Sequence, residues 1–239
     1  MKKVYSLLII TIVIMGIVGS VFLVLILIPK TIYIQSNYIT VAPQIDGNFN
    51  ATEWLPAYSI NFTLKGTDEY GRTEKRGGGL YVMNNATHLF LAFRIWHEDY
   101  DGPPSGTPDK LNIWLDTNNN EELDDYEDIK ILFTSSTPYI DAYHYSPPWV
   151  YIYPDSNHGG TTDGYAFWNH SNPSGTGVLT FETVFPFISD DPNDLNISRG
   201  ITIGINFEYW SLTTSSHYFI AEWPADTMQP QKWAKLTIG

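Results

Sequence analysis

The most regular signal in the chain is alternation. Residues 88–96 read His-Leu-Phe-Leu-Ala-Phe-Arg-Ile-Trp, with Leu89, Leu91, Phe93 and Ile95 on one parity and Phe90, Ala92 and Arg94 on the other. A period of two marks a strand, and apolar residues on both parities predict a strand covered on both faces. Residues 80–83 precede it across Asn84-Asn85-Ala86-Thr87, a composition suited to a hairpin turn. Further β-rich runs lie at 31–41, 59–64, 110–115, 129–135, 139–145, 149–153, 164–168, 177–185, 201–210, 217–223 and 233–238. Residues 67–79, polar and glycine-rich, read as a mobile loop with little part in the core. No helical period and no tandem repeat competes with this pattern. Many short strands between turn signals predict an all-β domain, an antiparallel β-sandwich over residues 31–239, with Trp54, Trp114 and Trp233 in its core.

One segment breaks the pattern. Residues 4–28 are almost wholly apolar and uncharged. At about 1.5 Å per residue a helix of that length crosses a hydrocarbon core of about 30 Å. Residues 1–30 therefore predict an N-terminal transmembrane signal anchor. Lys2 and Lys3 ahead of the run place the short N-terminus in the cytoplasm. The expected location is the cell membrane, single-pass, with the C-terminal domain extracellular. A cleaved signal peptide is the rival reading, with Gly16, Gly19 and Ser20 near a cut; the apolar run through 21–28 favours the anchor.

Charge narrows the partners. Residues 31–239 hold 10 basic and all 26 acidic side chains, a net of −16. A phosphate backbone needs a basic face, so nucleic acid is excluded as a partner. Five glycosylation sequons, at Asn50, Asn61, Asn85, Asn169 and Asn196, support export; Pro173 disqualifies Asn172. Cysteine is absent, so neither disulfides nor thiol chemistry are available.

The acid is concentrated. Residues 116–128 carry seven carboxylates in thirteen positions with no Lys or Arg among them. Such density repels itself unless the loop is solvated or wraps a cation. Asp116, Asn118, Asn120, Glu122, Asp124 and Glu127 occupy positions 1, 3, 5, 7, 9 and 12 of a calcium-loop register, Glu122 through its backbone carbonyl. Position 6, ordinarily Gly, is Glu121, and β-rich runs rather than helices flank the loop. The expectation is a strand-to-strand loop holding a structural calcium ion.

The order of motifs resembles the carbohydrate-binding module family 9-like domains, which share a sandwich with the wider DOMON-like group. The matching residues are Ile45-Asp46-Gly47 with Glu53-Trp54 and Ala57, then 88–96, and Ile113-Trp114-Leu115-Asp116-Thr117-Asn118-Asn119-Asn120. His158-Gly159-Gly160-Thr161-Thr162-Asp163, Phe181-Glu182 with Phe185-Pro186, and the closing run 231–238 complete the series. The resemblance covers residues 38–239. It implies a non-catalytic module that binds a polysaccharide or glycan, with calcium structural near the acidic loop.

Sugar rings stack an apolar C–H face on an aromatic ring and place hydroxyls on polar neighbours. Trp96, Trp149, Trp168 and Trp210 stand at strand ends or beside polar loops, Trp96 and Trp168 with polar residues directly after them. Asp155, His158 and Asp163 surround Gly159-Gly160 and suit a hydroxyl, a metal or a capped turn. The histidines show no ligand-spaced pair for zinc. No phosphate loop, nucleophile elbow or thiolate points to an enzyme. Two alternatives remain: a structural or adhesive cell-surface protein without a small ligand, and a haem-binding electron-transfer domain of the DOMON-like or ethylbenzene-dehydrogenase-related kind. Axial ligands for the latter would come from Met83, Met228 or a histidine.

Overall fold

The structure is a computed structural model that describes residues 31–68, 70–97, 108–124, 128–145, 151–172, 177–188, 196–214, 217–224 and 228–239. Residues Ile32–Gly239 form one compact unit. Among the described residues no helix is long and apolar enough to cross a membrane; the expected anchor, residues 1–30, lies outside them.

The predicted hairpin is present as β4 (Thr73–Asn84) and β5 (His88–His97), with Leu80↔Phe93 and Val82↔Leu91 in register. Asn85 closes its turn by accepting the Thr87 and His88 backbone N–H groups. On one side β5 pairs with β11 (Gly177–Pro186), which pairs with β10 (Tyr165–His170). On the other, β4 pairs with β3 (Tyr58–Asp68).

β3 joins the two layers. It follows β4 from Tyr58 to Thr67, while Lys65–Asp68 also pair with β13 (His217–Trp223). From β13 the second layer runs through β12 (Thr202–Thr214), β6 (Lys110–Asp116), β7 (Asp128–Phe133), β8 (Tyr139–Tyr145) and β9 (Tyr151–Pro154). β14 (Ala234–Thr237) pairs antiparallel with β12 and parallel with β1 (Tyr33–Gln35); β2 (Asn37–Tyr38) pairs parallel with β4. The architecture is therefore all-β and antiparallel apart from two short parallel pairings at the N-terminal end.

Between the layers lies the main core. Leu91, Phe93, Ile95 and Phe181 meet Ile113, Leu115, Ile205 and Phe207, and Phe93 and Phe207 pack edge to face at 4.6 Å. Two smaller cores explain the apolar residues on outward parities. Ile39, Ile45 and Trp54 cover Met83, Phe90 and Ala92, while Trp233 covers Trp114 and Ile129. All three core tryptophans are buried as the sequence predicts.

One expectation is overturned. The described residues of 67–79 are not one loop: Thr67 and Asp68 end β3, and 73–79 form the first half of β4. Gly78 within this stretch and Gly66 just before it serve close packing. A Cβ on Gly66 would lie 1.8 Å from the Ile220 carbonyl oxygen, and one on Gly78 would lie 2.4 Å from the Phe62 ring.

Candidate functional site

The acid-rich loop leaves β6 at Asp116, which is fully buried. Its Oδ1 accepts the Asn120 N–H (3.1 Å) and its Oδ2 the Glu121 N–H (3.1 Å). Asn118 Oδ1 takes the Asn120 N–H and Asn120 Oδ1 the Glu122 N–H, both at 2.9 Å. The amides of Asn118 and Asn120 then converge on Asp124 Oδ2, at 3.0 and 2.6 Å. Glu121, the non-glycine at position 6, adopts the left-handed conformation that position demands, with φ 67°. Lys235 of β14 steadies it, donating to Glu121 Oε1 (3.1 Å) and Asn119 Oδ1 (2.7 Å). Burial raises the Asp116 pKa, opposed by the Glu121 N–H and by Lys235.

Asp116, Asn118, Asn120 and Asp124 therefore share one nested turn, closed by its own hydrogen bonds. For a cation to bind, the two amides would turn their oxygens inward. Among the described residues no three acidic or histidine side chains converge on one point. Glu127 lies outside the described residues.

A second constellation lies where the layers part. Pairing between β3 and β13 ends at Lys65↔Glu222. Beyond it opens a groove of about 580 Å³, lined by Ile32, Ile60, Asn61, Phe62, Thr63, Lys65, Glu222, Trp223 and Pro224. Its floor is aromatic: Phe62 lies 5.6 Å from Trp223, which stacks in turn on Phe207. Lys65, Asn61, Thr63 and Glu222 supply a cation, an amide, a hydroxyl and an acid along its sides.

The groove continues as a polar band across the outer face of the second layer. Register carries Lys65 to Glu222, Glu222 to Glu208, and Glu208 to Asn112. Asn112 Nδ2 donates to Glu208 Oε2 at 2.5 Å, while the buried Asn112 Oδ1 has no hydrogen-bond partner among the described residues. One row along, Lys110 lies 4.2 Å over the Trp210 ring, whose buried Nε1 is likewise unpaired among the described residues. Burial lowers the Lys110 pKa, and Glu208 pulls it back up. Buried donors and acceptors cost free energy until something pairs them, and Asn112 Oδ1 and Trp210 Nε1 are two such unmet atoms of this band among the described residues.

The other expected residues scatter. Trp96 is 44% exposed and lies against Gly77 of β4. Trp168 turns inward, its Nε1 donating to the Ser135 carbonyl oxygen at 2.9 Å. Trp149 lies outside the described residues. Asp155 and His158 bound a 3-10 turn, with Asp155 buried, and Asp163 receives the Thr161 hydroxyl. Met83 is buried in a small core and Met228 is exposed; neither lines the groove. Asn50, Asn61, Asn169 and Asn196 are exposed and Asn85 half-buried.

Of this constellation only Trp210 was legible in the sequence. Lys65, Lys110, Asn112, Glu208 and Glu222 gave one available signal: polar residues at alternate positions inside otherwise apolar strands. That signal does not say which strands lie side by side.

The two layers, the β3 crossover and the closing β14 define a carbohydrate-binding module family 9-like β-sandwich fold. Two solved structures with this fold are a family 9 carbohydrate-binding module from Caldicellulosiruptor kristjanssonii in complex with cellotriose and one in complex with glucose. The first is 14% identical with TM-score 0.52, covering 87% of this chain and 93% of the other. The second is 13% identical with TM-score 0.52, covering 87% and 95%. A Bacteroides uniformis protein provisionally designated carbohydrate-binding is 10% identical with TM-score 0.55, covering 88% and 100%. The sequence matches no protein-family model and no curated protein.

Proposed function

We propose that this chain is a membrane-anchored, extracellular, non-catalytic carbohydrate-binding module. The observation that carries the reading is the groove beside β3 and β13, with its aromatic floor and polar sides of both signs, in a fold whose solved neighbours hold glucose and cellotriose. A neutral gluco-oligosaccharide suits it. One ring meets Phe62 and Trp223 at the groove, Lys65 and Asn61 donate to hydroxyls, and Glu222 accepts from them. The next rings follow the band, where Asn112 Oδ1 and Trp210 Nε1 find partners and Lys110 moves from the indole to a hydroxyl. No step breaks a bond.

The test is binding of the full-length protein, held in nanodiscs, to a glycan array and to cellotriose. Glu222→Gln, which removes a charged acceptor, is expected to weaken binding by about tenfold. No glycan binding by protein shown to be folded would overturn the reading, and self-association of that protein would support the adhesive alternative.

Calcium belongs to the same proposal. Asp116, Asn118, Asn120 and Asp124, with the Glu122 carbonyl and Glu127, would hold the ion and screen the loop's carboxylates. Calcium is then expected to raise the melting temperature of the native protein and not that of Asp116→Asn, which keeps one of the turn's two side-chain acceptors and loses the charge. An equal response in both proteins refutes the site. Anchoring rests on residues 1–30. A chain that keeps those residues and stays with membranes through alkaline extraction supports it, while a mature chain lacking them would establish cleavage.

A further inference from the structure

From Asn61 at the rim of that groove, one cross-strand row runs over the outer face of the first layer through Gly79, Arg94, Thr180 and Asn169. Its centre is a pocket of about 210 Å³ lined by Gly47, Asn48, Phe49, Arg94, Asn169, Ser171, Val178 and Thr180. The guanidinium of Arg94 lies 4.5 Å over the Phe49 ring. Its Nε is buried with no hydrogen-bond partner, and Arg94 forms no ion pair among the described residues. In a domain of net charge −16, an arginine at a pocket wall without an ion pair among the described residues is unexpected.

Among the described residues, Glu182 on the neighbouring strand and Asp46 beside Gly47 are already engaged. Glu182 accepts the Asp46 and Gly47 N–H groups and the Trp54 Nε1–H, and Asp46 accepts the Asn48 N–H and the Gln44 amide. The remaining lining is neutral and suited to hydroxyls. Asn169 donates to Asn48 Oδ1 at 2.6 Å, leaving the Asn48 amide nitrogen toward a ligand, and the Thr180 and Ser171 hydroxyls stand beside it. Trp96, cross-strand partner of Val178, lies flat where Gly77 has no side chain, adding an exposed aromatic face along the same strand.

We infer that this pocket is a second binding site, for a carboxylated sugar unit of the hexuronate class. One cation among neutral amides and hydroxyls balances a single carboxylate, whereas a phosphate dianion would keep an uncompensated charge. The volume lies below the range of about 300–1,000 Å³ typical of drug-sized ligands and suits one sugar ring. The site is independent of the groove reading, because its residues and its ligand charge are different.

The experiment titrates full-length protein, made in a host without N-glycosylation so that Asn169 is unmodified, with glucuronate, galacturonate, glucose and acetate. Both uronates are expected to bind, with acetate failing to compete. Arg94→Gln is expected to weaken uronate binding by about tenfold or more. Asn48→Asp, an exposed change that keeps the acceptor for Asn169 and adds a repelling charge, is expected to do the same and serves if Arg94→Gln does not fold. Cellotriose binding should be unaltered in both variants. The inference is overturned if neither uronate binds, if acetate competes equally, or if a folded variant binds uronate like the native protein. Loss of cellotriose binding with uronate binding intact would sink the groove reading alone.

Discussion

Glu182 shows how one side chain sets local order. It is fully buried on β11, and all three of its partners are donors: the Asp46 N–H, the Gly47 N–H and the Trp54 indole. It therefore ties the segment over the small core of Ile39, Ile45 and Trp54 to the sheet. Burial raises its pKa, against the pull of those three donors. A carboxyl whose folded pKa lies above its unfolded value contributes stability that is complete below the unfolded pKa and is lost as pH rises through the folded one. Glu182→Gln stays neutral throughout. In urea unfolding, the native protein's advantage over Glu182→Gln is therefore expected to shrink between pH 4 and pH 7. An advantage that grows over that window would show that the donors outweigh burial. At this scale the sequence was partly legible: Trp54 declared itself as core, whereas nothing near Glu182 named its partners more than a hundred residues away.

Among the elements, β3 carries the architecture, because it alone belongs to both layers. Its crossing depends on Gly66, where an added Cβ meets the Ile220 backbone, an obstacle that no rotamer change relieves. At Gly78 an added Cβ would lie 2.4 Å from the Phe62 ring and 2.7 Å from the Arg94 carbonyl oxygen, a milder backbone clash than the 1.8 Å at Gly66. Overpacking a core commonly costs about 1–3 kcal/mol. Gly78→Ala is expected within that range and Gly66→Ala above it, read as urea midpoints. Equal costs would mean that β3 and β13 separate easily. Gly77, Gly78 and Gly79 explain why residues 67–79 read as a loop. Glycine is depleted in strands, and only a neighbouring chain at close range reverses its meaning. Hairpin β4–β5 was legible because alternation and turn chemistry are local. The groove was not, since it needs the register Lys65↔Glu222 between strands more than 150 residues apart. The acid loop stood between these cases: its spacing was visible, but not the lysine of β14 that holds Glu121 in place.

Across the whole molecule, the two layers meet through a buried ion pair one or two strands in from their free edges. Lys130 of β7 and Asp141 of β8 face inward, both essentially without solvent, with the ammonium 5.7 Å from the Phe185 ring of the other layer. Asp141 Oδ2 also accepts the Asp163 N–H (3.0 Å) and the Tyr139 hydroxyl (3.3 Å), binding the chain that leads into β10. Two charges in an apolar interior exact a desolvation cost that their attraction offsets only while both are present. Removing one leaves the other uncompensated, so Lys130→Met and Asp141→Asn are each expected to lose about 3–5 kcal/mol. The double variant should recover much of that loss, because the amide oxygen introduced by Asp141→Asn would still accept the Asp163 N–H while no net charge stays buried. The single variants also differ in pH response. Burial already raises the Asp141 pKa, and Lys130 opposes it. Without Lys130 the folded pKa rises further, so Lys130→Met is expected to lose stability more steeply than the native protein as pH climbs from about 4. A double variant as unstable as the sum of the singles would show that the pair is no unit, and that this edge is held by the Asp163 and Tyr139 contacts alone.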